Sequence, residues 1–233
     1  MRNKIVSLLA ALSLISALTA QAAPKPKPTP TPIPTPTPVP PPAAIPITGL
    51  PYTISAPGTY ILAADLPFST PGGTAITIGA SNVILDLGGH KITNFSPPSS
   101  TTPASGVYAS AGRLSNVTVR NGTIAGFDTG IEVDGDPFIA NTVTISGITL
   151  NVFNPDSAPS LGKYGIYLYY VINSQVTNCV INNTEYAIID DNGESKNVYT
   201  NVKVQSSANP FLASNNGGNT FPTSNTLTNL AWQ

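Results

Sequence analysis

The stretch Thr142-Val-Thr-Ile-Ser-Gly-Ile-Thr-Leu150 is one copy of a short, apolar-alternating phrase that recurs loosely from about residue 82 to the C-terminus. An internal repeat restricts a chain more than composition does, because every copy has to find an equivalent environment. Two kinds of strand align. One places a small residue before an apolar one: Ala75-Ile76, Gly106-Val107, Gly130-Ile131, Gly165-Ile166, Ala187-Ile188 and Pro210-Phe211. The other opens with Asn or another polar residue before an apolar alternation, as at Asn82-Val83, Asn116-Val117, Asn141 to Ile145 and Asn197-Val198. A third strand ends at Ile124, Leu150, Ile181 and Val204. The shortest full period, Ile166 to Ile188, is 22 residues, with 23 and 24 also occurring, so three strands and three turns per coil give about six coils.

A single coil of this kind cannot bury its inward face. Coils stacked in parallel, ~4.8 Å apart, bury Val107, Ile131, Ile166 and Ile188 against one another and pair each backbone with its neighbours above and below. Like side chains then form columns, with Thr118 over Thr144 and an asparagine ladder in the turn before the second strand. A β-sandwich also uses short alternating strands but does not require these recurring phrases.

Composition agrees with such an array. Only 9% of residues are charged, and Asn, Thr, Ser and Gly separate isolated Val, Ile and Leu, which favours short strands and frequent turns. Residues 47–233 hold six Lys and Arg against eleven Asp and Glu, about −5, which argues against nucleic acid as a partner. The lone Cys179 excludes an internal disulfide and reads as a small buried hydrophobe.

Arg2 and Lys4 before the apolar run Ile5 to Ala20, followed by Ala20-Gln-Ala22, read as a secretory signal peptide over residues 1–23, placing the chain outside the cell or in the periplasm. The run is shorter than the ~20 residues that span a bilayer, so no membrane span is expected after cleavage. Residues 24–46 contain twelve of the 24 prolines and predict a polyproline linker of up to ~70 Å, either a stalk or a leader without a task. The domain then runs over 47–233, and Pro51 to Leu62 reads as two strands around Pro57-Gly58 that cap the open end of the core.

Two stretches carry a family resemblance: Ile76-Thr-Ile-Gly-Ala-Ser-Asn-Val-Ile-Leu-Asp-Leu-Gly-Gly-His-Lys-Ile92 and Asn116-Val-Thr-Val-Arg-Asn-Gly-Thr-Ile-Ala-Gly-Phe-Asp-Thr-Gly-Ile131. They resemble the opening coils of right-handed parallel β-helix proteins of the pectate-lyase-like superfamily. The likeness covers most of residues 50–207. It implies an all-β, right-handed parallel β-helix of about six coils with an N-terminal cap. It does not imply one activity, because that superfamily holds lyases, hydrolases, epimerases, tailspikes and non-catalytic repeat proteins.

Insertions into a solenoid must leave it as loops, so Ser96 to Ser105, Asn154 to Lys163, Asp134 to Asn141 and Ser214 to Thr223 are expected to wall a groove along the small-apolar strands. With Val107, Ile131, Ile166 and Ile188 inward, Tyr108, Glu132, Tyr167 and Ile189 form one outward column and Ser110, Asp134, Tyr169 and Asp191 the next. Tyrosine faces stack on sugar rings and carboxylates accept hydroxyl hydrogen bonds, so Tyr108, Glu132, Tyr167 and Tyr169 are the expected substrate-binding set. For catalysis by two carboxylates the candidates are Asp134, Asp190 and Asp191, with Glu132 beside Asp134, two coils from the Asp190-Asp191 pair. Adjacent Asp190-Asp191 resembles the paired aspartates of β-helix galacturonases, whose Asn-Thr-Asp, Gly-His-Gly and Arg-Ile-Lys motifs are absent. A pectate-type lyase would need Ca2+, for which Asp128, Glu132, Asp134 and Asp136 are the candidate ligands, and an arginine base. Arg120 is expected instead beside Asp86 on another face. His90, in Leu87-Gly-Gly-His-Lys91, is expected to stabilise a turn. Two functions remain: a secreted protein that binds or processes a polysaccharide or cell-surface glycan, as a lyase or glycoside hydrolase if catalytic, or a non-catalytic surface or envelope scaffold.

Overall fold

The computed structural model describes Lys25 and residues 43–96, 103–110, 113–136, 140–152, 162–191, 196–213, 226–228 and 231–232. The chain divides into Met1–Pro40 and Pro41–Gln233. Of the first unit only the exposed Lys25 is described, so the expected signal peptide and nearly all of the linker lie outside the described residues.

The second unit is all-β, with no helix among the described residues. In chain order its strands are β1 (Ile45–Ile47), β2 (Tyr52–Ile54), β3 (Gly58–Leu62), β4 (Leu66–Phe68), β5 (Gly73–Ile78), β6 (Val83–Asp86), β7 (Lys91–Asn94), β8 (Ala104–Ala109), β9 (Ser115–Ala125) and β10 (Thr129–Asp134). They continue as β11 (Ala140–Asn151), β12 (Gly162–Tyr169), β13 (Val171–Ile172), β14 (Gln175–Thr177), β15 (Val180–Asp191), β16 (Val198–Thr200), β17 (Lys203–Ala213), β18 (Thr226–Thr228) and β19 (Ala231–Trp232). Every pairing is parallel. The pairings make three rows in a solenoid-like sheet around one core. The first row holds the small-apolar strands β2, β5, β8, β10, β12 and the ends of β15 and β17.

Register follows the repeat. Ile76, Val107, Ile131, Ile166 and Ile188 are successive partners in the first row, and Ile92, Ile124, Leu150, Ile181 and Val204 in the third. All ten are buried, each contributing about 1.5–3 kcal/mol of transfer free energy. In the second row Thr118 pairs with Thr144, as the column argument requires. Asn197-Val198 departs from the expected alignment by one residue. Val198 is the partner of Gln175 on the outer side, while Asn197 points inward and is buried.

The corners explain the abundance of Asn. Asn82, Asn116, Thr142, Asn173 and Lys196 sit at equivalent corners with φ of 57°, 56°, 59°, 52° and 52°, and Asn121, Asn178 and Asn201 occupy a second such column. Asparagine tolerates this left-handed conformation better than most residues with a Cβ. Two rungs of the expected ladder are present, Asn116 Nδ2 donating to Asn82 Oδ1 at 3.0 Å and Asn173 to Asn141 at 3.3 Å, while Asn197 is buried elsewhere and Asn201 donates to Asn178 at 3.0 Å in the second column. At Thr142 the register displaces the amide by one, leaving a β-branched residue at positive φ.

The small residues of the first row have a different cause. A Cβ at Gly130 would lie 2.7 Å from the Gly165 carbonyl oxygen and 2.9 Å from Leu150 Cδ1, and one at Gly106 would lie 2.7 Å from the Gly130 oxygen. At Gly106, Gly130 and Gly165 the bend therefore brings one coil's backbone over the next with no room for a methyl. At the N-terminal edge β1, β2 and β4 each pair with one described strand. Exposed Pro46 and Pro67 lie within β1 and β4, where a missing N–H discourages edge-to-edge pairing.

Opposite effects are expected at the two kinds of corner. Gly130→Ala should lose about 1–3 kcal/mol, because the clash is with backbone. Thr142→Asn should gain about 1 kcal/mol by relieving strain at a left-handed position. Urea unfolding of both variants measures the pair, and a Gly130→Ala variant as stable as the parent contradicts the packing account.

Candidate functional site

The first row changes its alternation at the small residue. In β12 Gly165 and Ile166 are both buried, whereas Tyr164, Tyr167 and Tyr169 are half-buried on the outer side. The same bend turns Tyr186 outward before buried Ala187 in β15. Tyrosines from two coils thus form one run, with ring centroids 5.9 Å apart for Tyr186 and Tyr164, 5.0 Å for Tyr164 and Tyr167, and 6.0 Å for Tyr167 and Tyr169. Tyr170, at the left-handed corner after β12, closes the run edge-on to Tyr169 at 4.6 Å.

Both expected columns are in register. Glu132 lies between Tyr108 and Tyr167, and Tyr169 lies between Asp134 and Asp191. Ile189 occupies its column opposite Tyr167 but is buried. Tyr108 donates from its hydroxyl to Asp134 Oδ2 at 3.0 Å, and Asp134 Oδ1 accepts the Asp136 amide at 2.9 Å. Asp134 therefore organises this end of the face through both oxygens. Glu132, with Ser105 Oγ at 3.5 Å, has its carboxyl pushed above the ordinary range by burial first and by the Asp134 charge second. Burial, followed by the charge of Asp191, raises the Tyr167 phenol well above its usual value. Both phenols stay neutral donors in the physiological range, since burial also raises Tyr108. Glu132 and Asp134 stand two residues apart on the outer side of β10.

Asp190 does not join them. Alternation turns it inward, where it is fully buried and accepts the Tyr199 hydroxyl at 2.7 Å and Asn197 Nδ2 at 3.1 Å. Asn197 in turn donates to the Val171 oxygen at 3.0 Å and accepts the Ser174 amide at 2.8 Å. Asp190 thus serves a buried network joining two coils, and the adjacent pair Asp190-Asp191 is split between the inside and the outside. The candidate Ca2+ ligands are also divided. Asp128 is buried at the start of the row, with its carbonyl held by the Lys163 and Tyr164 amides, while Asp134 and Asp136 form a turn at the opposite end of β10. No group of three or more metal-ligating side chains occurs among the described residues.

The remaining singled-out residues lie away from this face. Arg120 Nε donates to Asp86 at 2.8 Å on the second row, as expected. His90 sits at the turn before β7, its Nδ1 3.3 Å from Asp65 Oδ1, which also accepts the Lys91 amide at 3.0 Å. Cys179 is buried, and burial pushes its thiol up to about 11. A depression of about 350 Å³ over the second row, lined by Asn82, Ile84, Asn116, Thr118, Thr142 and Thr144, carries no titratable side chain. The expected wall loops fall largely on residues 97–102, 137–139, 153–161 and 214–223, outside the described residues. No helix among the described residues is long and apolar enough to cross a membrane. No family model, curated protein or solved structure matches the chain.

The network around Asp190 has a measurable consequence. Asp190→Ala leaves the buried Tyr199 hydroxyl without this acceptor and should destabilise the fold by about 2–3 kcal/mol. Thermal unfolding tests it: an unchanged Tm would return Asp190 to the catalytic candidates.

Proposed function

We propose that this chain is a secreted right-handed parallel β-helix of about six coils with an N-terminal cap, and that its first-row outer face binds polysaccharide. The observation that supports this most is the run of rings from Tyr186 through Tyr164 and Tyr167 to Tyr169, with adjacent centroids 5.0 to 6.0 Å apart. Aromatic faces cover the apolar sides of sugar rings, and flanking carboxylates accept their hydroxyls. Glu132, Asp134 and Asp191 stand beside that run, Glu132 as the strand partner of Tyr167 and Asp134 and Asp191 as those of Tyr169. Because the rings project from paired strands, little side-chain freedom remains to be lost on binding.

Tyr167 lies at the centre of the run, in contact with both Tyr164 and Tyr169. Tyr167→Ala should weaken binding of the preferred polysaccharide about ten-fold or more while leaving the unfolding midpoint within a few degrees of the parent. Affinity electrophoresis over neutral, amino and uronate polysaccharides measures the first effect. Parallel assays for new reducing or unsaturated ends separate binding from hydrolysis and elimination. No retardation with any polysaccharide would remove the glycan reading and leave the scaffold.

A further inference from the structure

The face already contains one bound cation, supplied by the chain itself. Lys163 Nζ sits 4.8 Å from the centroid of the Tyr164 ring, and the charges of Asp128 and Glu185 act on it together with the Tyr164 hydroxyl. An ammonium over a tyrosine beside carboxylates is a favourable arrangement, because the ring's negative face and the anions act in the same direction. The other half of the face repeats that composition. Tyr167 and Tyr169 lie side by side, with Glu132 and Asp134 on the strand before and Asp191 on the strand after. Within residues 104–110, 129–136, 162–170 and 184–191, Lys163 is the only Lys or Arg, against outward Glu132, Asp134, Asp136, Glu185 and Asp191.

We propose that the Tyr167–Tyr169 half of the face takes the ammonium group of an amino-sugar polymer, one whose hexoses carry a free, protonated amine. This rests on the glycan reading above and narrows it. The sugar ring stacks on tyrosine, and its amine occupies over Tyr167 and Tyr169 the place that Lys163 holds over Tyr164. Glu132, Asp134 and Asp191 supply the counter-charge. A uronate polymer meets the opposite situation, since its carboxylates would approach five fixed anions. An N-acetylated polymer keeps the stacking but offers no charge. Discrimination therefore comes from charge, and polymer binding from the aromatic run.

The test uses the secreted chain and oligomers of equal length built from glucosamine, N-acetylglucosamine and galacturonate, titrated calorimetrically at a pH where the free amines are protonated. The glucosamine oligomer should bind roughly ten-fold tighter than the N-acetylated one, with the difference shrinking as salt is raised. Glu132→Gln with Asp191→Asn should abolish most of that difference, lowering the affinity for the glucosamine oligomer far more than that for the N-acetylated one. Far-ultraviolet circular dichroism and Tm establish that the variant folds. Equal affinity for the amine and N-acetyl oligomers, or tighter binding of galacturonate, overturns this inference and leaves the polysaccharide reading standing. Binding of none of the three oligomers overturns this inference, and failure of a neutral glucan oligomer as well overturns both.

Discussion

The contact on which the rest depends is between backbones, at Gly106, Gly130 and Gly165. There the first-row strand bends, and one coil's α-carbon lies against the carbonyl of the next so closely that a methyl group would overlap it. The same small residue faces an apolar residue of its own coil, Ile124, Leu150 or Ile181, across the narrow part of the core. Parallel pairing at ~4.8 Å supplies hydrogen bonds all along the stack, but hydrogen bonds alone do not choose a bend. A larger residue at these corners would push coils apart and loosen both the core and the register. The glycines thus couple packing inside to spacing outside.

That coupling makes the outer face predictable in one direction and opaque in another. Register was legible, because a side chain slipped by one residue would move a whole apolar set to the wrong side of the strand. The pairings of Tyr108 with Glu132, Glu132 with Tyr167 and Tyr169 with Asp191 follow from the repeat alone. Tyr164 and Tyr186 were not legible, since period-two alternation counted back from Ile166 and Ile188 would turn both inward. Alternation cannot be carried through a bend where two successive residues, Gly165 and Ile166, are both buried. The usable signal was an aromatic residue immediately before the small-apolar pair, present at Tyr164 and at Tyr186.

Asp190 illustrates the reverse. Alternation does place it inward, yet a carboxylate beside a second carboxylate invites a catalytic reading. What sequence could not supply was the buried donor pair, Tyr199 and Asn197, that makes an inward aspartate tolerable. Asn197 was itself disguised by the familiar Asn-Val phrase, although the left-handed corner belongs to Lys196. His90 was legible as a turn residue, whereas its partner Asp65, one coil earlier, was not, because that contact depends on stacking.

A stacked architecture also limits what kind of site its face can be. Each coil contributes one strand per row, so on the described strands groups of different coils meet as neighbours in a column. Such a surface suits a repeating ligand, whose units meet equivalent chemistry in succession, and suits poorly a metal that needs ligands on all sides. The separation of Asp128 from Asp134 and Asp136, at opposite ends of one short strand, is an instance of that limit. Variation along the columns then does the work that shape does in a pocket. Where the column reads Tyr164 with Lys163 and Glu185, the charge is balanced internally. Where it reads Tyr167 and Tyr169 with Glu132, Asp134 and Asp191, three carboxylates face a single ammonium, Lys163, whose charge reaches Glu132. On a stacked lattice, selectivity toward the proposed glycan would have to arise from such differences in charge between otherwise similar positions.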